Sequence, residues 1–251
     1  MSRRIGSVPY LNAAPLTWGL EGETAFLPPS RLARELHEGR VDAALLSVTE
    51  VLLEPGYGIL DGVAIGSDGP VASVFLAHQD PLDSLGVVHL DPASCTSVQL
   101  LRLLLAERGA RPSFETLRDP ARAREARNVL LIGNPAIAFR RTDPPHRIWD
   151  LGAAWRESTG LPFVYAAWVI RQGASAGMSR RLREAATAGL AALPQIIDQR
   201  PEFDREFRQA YLGGHIRYGL GDRENAGLAQ FGERLARHTG RAVQPVRYLG
   251  A

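Results

Sequence analysis

Residues 24–47 read TAFLPPSRLARELHEGRVDAALLS and contain one strand–helix–strand repeat. The runs TAFLP (24–28) and VDAALLS (41–47) are short and apolar, which predicts two buried strands. Between them, SRLARELHEG (30–39) has apolar residues at helical spacing, begins with a serine N-cap and ends near a glycine. A strand, a helix and a strand in this order predict a parallel βαβ unit, and therefore the α/β class.

The same alternation extends on both sides of this repeat. RIGSV (4–8) predicts a first strand, and a second block begins at VASVFLAH (71–78) and continues through GVVHLD (86–91) and NVLLIGN (128–134). LPFVYAAWVIR (161–171) is long and apolar enough to cross between two sheets. The 80 residues after it contain no convincing buried strand and predict helices.

With 251 residues, the chain is long enough for one large domain or two small ones. We expect it to build one α/β lobe, leave it for a second, and return to finish with helices. The strands near 71–78 and 161–170 would be the crossovers, which gives residues 1–76 and 170–251 to lobe 1 and residues 77–169 to lobe 2. Such an arrangement places a ligand cleft between the lobes, where strands end and helices begin.

Composition excludes several classes of function. The net charge is +2, with 29 basic residues, all of them arginine, against 27 acidic residues. The arginines are scattered among Asp and Glu, which is typical of solvated helix faces and argues against a nucleic-acid partner. The absence of lysine excludes Schiff-base enzymes and the Walker A phosphate loop, because both need a lysine amine. A single cysteine excludes an internal disulfide and is compatible with a reducing compartment.

Several catalytic and metal motifs are missing from the sequence. There is no H-E-x-x-H pair, no G-x-S-x-G elbow and no G-x-G-x-x-G after a strand. The six histidines have no cysteine partners, so we predict no metal site. The spaced glycines of GYGILDG (56–62) are interpreted as turns, and Glu50 and Glu54 as a solvated helix edge rather than an acid/base pair.

The N-terminal segment resembles a secretory signal only in part. Arg3 and Arg4 precede an apolar stretch, as they would in such a signal. Pro9, Asn12 and Pro15 interrupt that stretch, and no long apolar run occurs elsewhere. We therefore expect a cytoplasmic protein with no membrane partner.

The stretch HLDPASCTSVQLLRLLL (89–105) is the most informative for ligand binding. A strand ends there, and Ser94, Thr96 and Ser97 crowd the start of an amphipathic helix. Free backbone N–H groups and hydroxyls at a helix N-terminus suit a carboxylate or a phosphate. The alternative is that one of the three is an ordinary N-cap and the others are solvated. Cys95 sits where a helix N-terminus would lower the pKa of a thiol, but no paired histidine is visible.

Four more strand ends carry polar or small residues where a turn or a helix begins. They lie in VPYLNAAPL (8–16), LLSVTE (45–50), GPVASVFL (69–76) and LLIGNPAI (130–137). Asn12, which stands between two prolines, could be a plain turn residue, Asn134 a plain cap, and Ser73 a strand serine exposed on an edge. The candidates for contact with a ligand are Asn12, Ser47, Ser73, Val74, Gly133 and Asn134.

These segments carry a family resemblance. Together with WDLGAAWRESTGLPFVYAAWV (149–169), they fall in the same order as in the chorismate dehydratases of menaquinone biosynthesis, which the chain resembles along essentially its whole length. The resemblance implies the two-lobed α/β fold of type II periplasmic binding proteins, with a ligand cleft between the lobes. The chain departs from the family pattern at Asn134, where Asp is more frequent, and at Cys95, where a basic residue is frequent.

The resemblance also implies an activity. Family members are carbon–oxygen lyases (hydro-lyases) that remove water from chorismate to give 3-((1-carboxyvinyl)oxy)benzoate, the first step of the futalosine route, with no metal or organic cofactor. It implicates Asn12 and Ser73 in catalysis. It implies substrate contacts for Tyr10 of the YLN segment and for the Ser/Thr helix start at Ser94, Thr96 and Ser97.

Two other functions stay open at this point. The first is a non-catalytic binding protein for a small carboxylate, because this fold is used mostly by binding proteins. The second is the sister enzyme of the same pathway, which acts on a nucleoside-linked substrate and typically starts with a Ser-Pro-Cys-Pro-Asn segment, whereas this chain has VPYLNAAP (8–15). The expected partner is the small-molecule substrate chorismate, and a homodimer is left open.

Overall fold

The computed structural model describes residues 4–174 and 177–250, so Arg3 of the leader-like segment lies outside it. The described chain forms two β-sheets with helices on their faces, and none of these helices is both long and apolar enough to span a membrane. The strands are β1 (Ile5–Ser7), β2 (Thr24–Phe26), β3 (Ala43–Ser47), β4 (Tyr57–Ser67), β5 (Val74–His78), β6 (Val87–Leu90), β7 (Ser113–Thr116), β8 (Asn128–Ile132), β9 (Arg147–Asp150), β10 (Phe163–Arg171), β11 (Arg217–Leu220) and β12 (Tyr248–Leu249). The α-helices are α1 (Pro29–His37), α2 (Val48–Leu53), α3 (Thr96–Glu107), α4 (Gly133–Arg140), α5 (Leu151–Thr159), α6 (Met178–Ala191), α7 (Leu193–Gln199), α8 (Arg205–Ala210) and α9 (Asp222–Thr239). Two 3₁₀ helices span Leu11–Thr17 and Pro120–Glu125, and a π-helix spans Tyr211–His215.

The first sheet contains the repeat predicted for residues 24–47. Its strand order is β11–β4–β10–β3–β1–β2, with β12 beside β4. Strand β1 lies between β2 and β3 and pairs in parallel with both. The chain therefore runs from β2 through α1 to a parallel β3, which confirms the α/β class. Strand β10 enters antiparallel between β3 and β4.

The second sheet has the order β7–β6–β8–β5–β9. Strand β6 is parallel to β7 and β8, whereas β5 is antiparallel to β8 and β9. In the described chain, β5 pairs only in this sheet and β10 only in the first, so neither strand crosses between sheets as the sequence had predicted. The expected limits at 76/77 and 169/170 would divide these two strands. We propose that the lobes meet instead in the short segments 68–73 and 160–162.

Strand β4 was missed by the sequence interpretation. Its eleven residues include most of GYGILDG, and the interpretation of that segment as turns is wrong. Further along β4, Gly66 permits close backbone approach within the sheet, because a Cβ there would lie 2.7 Å from the Phe163 carbonyl oxygen of β10. The last 80 residues also contain two strands, β11 and β12, whose four and two residues are too short to give an alternating pattern.

Three buried aromatic side chains pack around the segment that leads the chain back into the first sheet. Trp155 of α5, Phe163 of β10 and Phe231 of α9 contact one another edge to face, with ring centroids 5.0–6.1 Å apart. The indole N–H of Trp155 donates to the Pro162 carbonyl oxygen at 3.1 Å. Each aromatic pair adds about 0.5–1.5 kcal/mol beyond its buried area, so the cluster holds segment 160–162 firmly.

Helix α6 packs against the 3₁₀ helix Leu11–Thr17 that follows β1. Their closest approach is at Gly189, where an added Cβ would lie 1.8 Å from the Pro15 carbonyl oxygen and 2.8 Å from Trp18 Cβ. Only glycine permits this approach, because side-chain carbons are not found within 3.0 Å of such atoms. The contact therefore determines where the 3₁₀ helix, and Asn12 within it, is placed.

We predict that Gly189→Ala destabilises the protein by about 2 kcal/mol, because the added methyl group overpacks against main chain that cannot rotate away. Gly232→Ala in α9 is the matched control, since its Cβ would meet only side-chain carbons, Val243 Cγ1 at 3.4 Å and Leu52 Cδ2 at 3.6 Å. The control should be neutral or stabilised by up to about 1 kcal/mol from helix propensity. Urea unfolding of both variants measures the difference, and equal midpoints would contradict the packing described for α6.

Candidate active site

A cavity that is partly open to solvent lies between the two sheets, and about 670 Å³ within it, the open part included, is free of protein atoms. Strand ends and helix starts from both sheets form its walls, as expected for a cleft between two α/β lobes. Nine of the ten predicted contact residues line it: Tyr10, Asn12, Ser47, Ser73, Val74, Ser94, Thr96, Ser97 and Gly133. Their roles toward a ligand stay predictions.

Asn134, the tenth predicted residue, is not among the residues that line this cavity. Its Oδ1 accepts a hydrogen bond of 3.0 Å from the Leu11 backbone N–H. The bond joins the first turn of α4 to the 3₁₀ helix that carries Asn12. An aspartate, which is more frequent at this position in the family, would offer the same kind of acceptor to the Leu11 N–H.

Asn12 lines the cavity and carries an unpaired side-chain oxygen. It lies on the first turn of the 3₁₀ helix, held by the buried Leu11 and Leu16 on either side. Its Oδ1 is buried and has no hydrogen-bond partner in the described part of the chain. A buried amide oxygen without a donor costs free energy, so this atom indicates a missing donor at the site.

Ser73 stands at the end of a strained turn between the two sheets. Ala72 before it has φ of +64°, in the left-handed region that a residue other than glycine rarely adopts. The carboxylate of Asp150 holds this turn, because it accepts the N–H groups of Val71 (3.1 Å) and Ala72 (2.8 Å). The same carboxylate accepts the Ala153 N–H at 3.0 Å and so caps α5.

The side chain of Ser73 is fully buried and hydrogen-bonded. The Tyr211 hydroxyl donates to Ser73 Oγ at 2.7 Å, and the Ser73 carbonyl oxygen accepts the Gly133 N–H at 2.8 Å. These two bonds connect the turn to the C-terminal helices on one side and to α4 on the other. Ser73 is therefore one of the most constrained polar residues of the cavity wall.

The Gly133 backbone packs against the Tyr10 ring in the cavity wall. Gly133 has φ of +61°, and a Cβ there would lie 2.9 Å from the Tyr10 ring, so the position requires glycine. Burial of the ring, and next the nearby Asp91 carboxylate, raise the pKa of Tyr10 to about 12. Tyr10 is therefore a neutral wall of the cavity at physiological pH.

The start of α3 supplies donors for an anion. Cys95 at its N-cap makes no side-chain capping bond, which leaves the N–H groups of the first turn to the cavity. Ser94 Oγ, just before the cap, is buried and finds no partner among residues 4–174 and 177–250. Free N–H groups and an unpaired hydroxyl at one helix start are donors of the kind that suit an anion.

Thr96 connects the two sheets instead of pointing only at a ligand. Its Oγ1 hydrogen-bonds with Ser47 Oγ and accepts the Thr49 hydroxyl at 3.0 Å. The Thr49 backbone N–H approaches the same oxygen at 3.3 Å. Because Ser47 and Thr49 lie at the start of α2 and Thr96 at the start of α3, these bonds close the cavity on this side.

Cys95 differs from the sequence expectation. Burial first, and then the charge and the hydrogen-bond acceptor of Glu50, raise the pKa of the thiol to about 11. The expected lowering by the helix terminus is wrong, because the thiol contacts a carboxylate in a buried setting. Burial likewise raises the pKa of Glu50, which is therefore not the solvated edge residue that the sequence predicted.

The cavity wall is uncharged. None of the lining residues in the described chain is an Arg, Asp, Glu or His. The Asp91 carboxylate is buried near Tyr10 and accepts the Ala93 N–H at 2.9 Å, and burial raises its pKa. An anion in this cavity would therefore be held by backbone N–H groups, hydroxyls and an amide, which act as fixed neutral donors.

Three polar residues at or near the site were not predicted from the sequence. Asp150 follows a strand and precedes a helix, as the predicted residues do, and that position could have identified it. Tyr165 lies in the middle of β10, where its apolar neighbours suggested core. Tyr211 comes from the C-terminal helices, 138 residues after Ser73, where no strand end points to the cleft.

The two sheets and the cavity between them define a protein of the periplasmic-binding-protein-like class. A protein of Archaeoglobus fulgidus of known structure superimposes with a TM-score of 0.75, at 19% identity over 94% of this chain and 97% of that one. The periplasmic aliphatic sulphonate binding protein of Escherichia coli does so with a TM-score of 0.61, at 16% identity over 99% of this chain and 94% of that one. At these identities the likeness shows the fold alone.

Sequence comparison identifies the family. The family model described as menaquinone biosynthesis matches residues 3–237. The chorismate dehydratase of Thermus thermophilus is 33% identical over 92% of this chain and 94% of that protein. The chain therefore belongs to this menaquinone-biosynthesis family, which confirms the resemblance seen in the sequence motifs.

We predict that Cys95 is alkylated slowly by iodoacetamide, with a rate that still rises about tenfold per pH unit up to pH 9.5. Only the thiolate reacts, and a pKa near 11 leaves little thiolate below that pH, whereas an ordinary cysteine with a pKa near 8.5 levels off. Mass spectrometry of the intact chain measures the rate without ambiguity, because the sequence has one cysteine. A plateau below pH 9 would show that the thiol is not held as described.

Proposed function

We propose that this protein is a chorismate dehydratase, a carbon–oxygen lyase that converts chorismate to 3-((1-carboxyvinyl)oxy)benzoate and water. The observation that carries the proposal is the pair of buried, unpartnered oxygens, Asn12 Oδ1 and Ser94 Oγ, on two residues that line one uncharged cavity. Membership of the menaquinone-biosynthesis family and the name of the Thermus thermophilus relative support it.

The polar groups of chorismate match those of the cavity wall. Chorismate has two carboxylates, which accept hydrogen bonds, and one hydroxyl at C4, which can donate. The N–H groups at the start of α3, with Ser94 and Ser97, would hold a carboxylate. Asn12 Oδ1 would accept the C4 hydroxyl proton, which supplies the donor that this atom lacks. Each hydrogen bond to a charged group contributes about 1.5–3 kcal/mol.

The proposed reaction is a loss of water that makes the ring aromatic. The C3 proton leaves, the electrons of the C3–H bond form the new double bond, and the C4–O bond breaks to release hydroxide. Proton and hydroxide together make the water that departs. Asn12 and Ser73 would align the leaving hydroxyl or the carboxylate beside it, and so act on the reacting atoms.

The base that removes the C3 proton is proposed to be the enolpyruvyl carboxylate of the substrate itself. The cavity wall offers no carboxylate, imidazole or amine among the described residues, and Asp91 is turned away to the Ala93 N–H. In a closed, uncharged cavity a substrate carboxylate loses hydration, which raises its basicity. The bonds from Thr96 to Ser47 and Thr49 and from Leu11 to Asn134 would keep water out.

A binding protein for a small carboxylate is the second candidate. The E. coli relative of similar fold is a sulphonate binding protein, and an uncharged cavity with free N–H donors suits binding without chemistry. The sister enzyme of the pathway is less favoured, because VPYLNAAP (8–15) lacks its Ser-Pro-Cys-Pro-Asn segment. A cytoplasmic location and a homodimer stay predictions.

We predict that purified protein converts chorismate to 3-((1-carboxyvinyl)oxy)benzoate without added cofactor, because elimination to an aromatic ring is downhill. Liquid chromatography of the reaction against the authentic product measures the conversion. Tight binding of chorismate with no product would favour the binding protein, and no binding would contradict both candidates.

We predict that Asn12→Ala lowers kcat by about 10- to 100-fold, because about 1.4–2.8 kcal/mol of transition-state stabilisation is lost. Asn225→Ala is the matched control, since Asn225 Oδ1 in α9 is also buried without a partner in the described chain but lies outside the cavity wall. The control should keep kcat within twofold. If Asn12→Ala and Asn225→Ala both turn over like the unmodified protein, Asn12 has no part in the reaction.

A further inference from the structure

We infer that Tyr211 is a positioning residue for the dehydration, which fixes the direction in which Ser73 donates its hydroxyl proton. The inference rests on the proposed function and adds a residue that neither the motifs nor the comparisons assign.

The Tyr211–Ser73 hydrogen bond has a defined direction. Both side chains are buried, and the Tyr211 hydroxyl donates to Ser73 Oγ at 2.7 Å. Burial raises the pKa of Tyr211 far above its ordinary range, so the phenol keeps its proton at any working pH. Because Ser73 accepts from Tyr211, its own single proton is left to donate elsewhere.

Tyr211 is also close to Asn12. The Asn12 side chain is near enough to the phenol to affect its pKa. One buried hydroxyl therefore lies close to both residues to which the family resemblance gives a part in catalysis. With Tyr211 as donor to Ser73, we infer that the Ser73 proton is directed to the cavity that Ser73 and Asn12 both line.

The backbone around Tyr211 is built to hold this geometry. Tyr211 opens the π-helix Tyr211–His215, a wide turn that is rare in proteins and frequent at functional sites. At its other end, His215 Nδ1 donates to the Pro70 carbonyl oxygen at 3.0 Å. The π-helix thus binds segment 70–73 at both ends, while Asp150 holds its middle from α5.

Loss of the Tyr211 hydroxyl would leave the Ser73 hydroxyl free to rotate. The Ser73 hydroxyl would then donate its proton in several directions, and only part of the time to the substrate. We expect substrate binding to depend mainly on the donors at the start of α3. The change should therefore appear in kcat and hardly in KM.

The test uses Tyr211→Phe, which keeps the ring and removes only the hydroxyl. Tyr218→Phe is the matched control, because Tyr218 of β11 is a buried neighbour of Tyr211 whose Oη has no partner in the described residues. We expect Tyr211→Phe to lower kcat for chorismate about three- to tenfold with KM within twofold. We expect Tyr218→Phe to keep both parameters within twofold.

A double-mutant cycle with Ser73→Ala separates positioning from a structural effect. When Ser73 is already alanine, Tyr211→Phe should change kcat by less than twofold, because there is no hydroxyl left to aim. Titration with the product 3-((1-carboxyvinyl)oxy)benzoate should give the same affinity for Tyr211→Phe as for the unmodified protein within twofold. Thermal unfolding sets the assay temperature, at which every variant is folded.

Three outcomes would overturn the inference in an enzyme that converts chorismate. They are equal kcat for Tyr211→Phe and Tyr218→Phe, full additivity with Ser73→Ala, or a loss of product affinity that matches the loss of kcat. An unmodified protein that makes no product from chorismate is a different failure, which overturns the proposed function and this inference with it.

Discussion

The conformation of the turn that connects the two sheets at residues 71–73 depends on one carboxylate and one strained residue. Asp150 accepts the N–H groups of Val71 and Ala72 while it caps α5, and Ala72 keeps φ of +64°. A residue other than glycine in this region costs about 1 kcal/mol or more, so the turn persists because the hydrogen bonds over-determine it. The position of Ser73, and through its carbonyl oxygen that of Gly133, depends on this turn.

An uncharged cavity suits the proposed reaction, because it leaves the substrate carboxylate basic. An arginine beside the enolpyruvyl carboxylate would bind it tightly but would also lower its pKa and weaken it as a base. Fixed N–H dipoles and hydroxyls hold the same group with less loss of basicity, and they need no reorganisation during the reaction. The raised pKa values of Tyr10, Asp91 and Cys95 all follow from the same burial.

The sequence predicted what depends on local pattern. The βαβ unit at 24–47 and the strand ends at Asn12, Ser73 and Gly133 could be found because apolar runs and turn residues mark them. Strand β4 was missed because its glycines are typical of turns, whereas Gly66 lies against β10, which is distant in sequence. Cys95 was misjudged because the thiol pKa depends on Glu50, a neighbour only in the fold. Tyr211 could not be found, since its partner is 138 residues away.

The central claim is that the cavity binds the substrate through neutral donors, with a carboxylate at the start of α3. A crystal structure with bound 3-((1-carboxyvinyl)oxy)benzoate tests it most directly. We predict one carboxylate within hydrogen-bond distance of the N–H groups at the start of α3 and of Ser94, and the ring between Asn12 and Ser73. A product that lies outside this cavity, or whose carboxylates both pair with arginines, would contradict the claim.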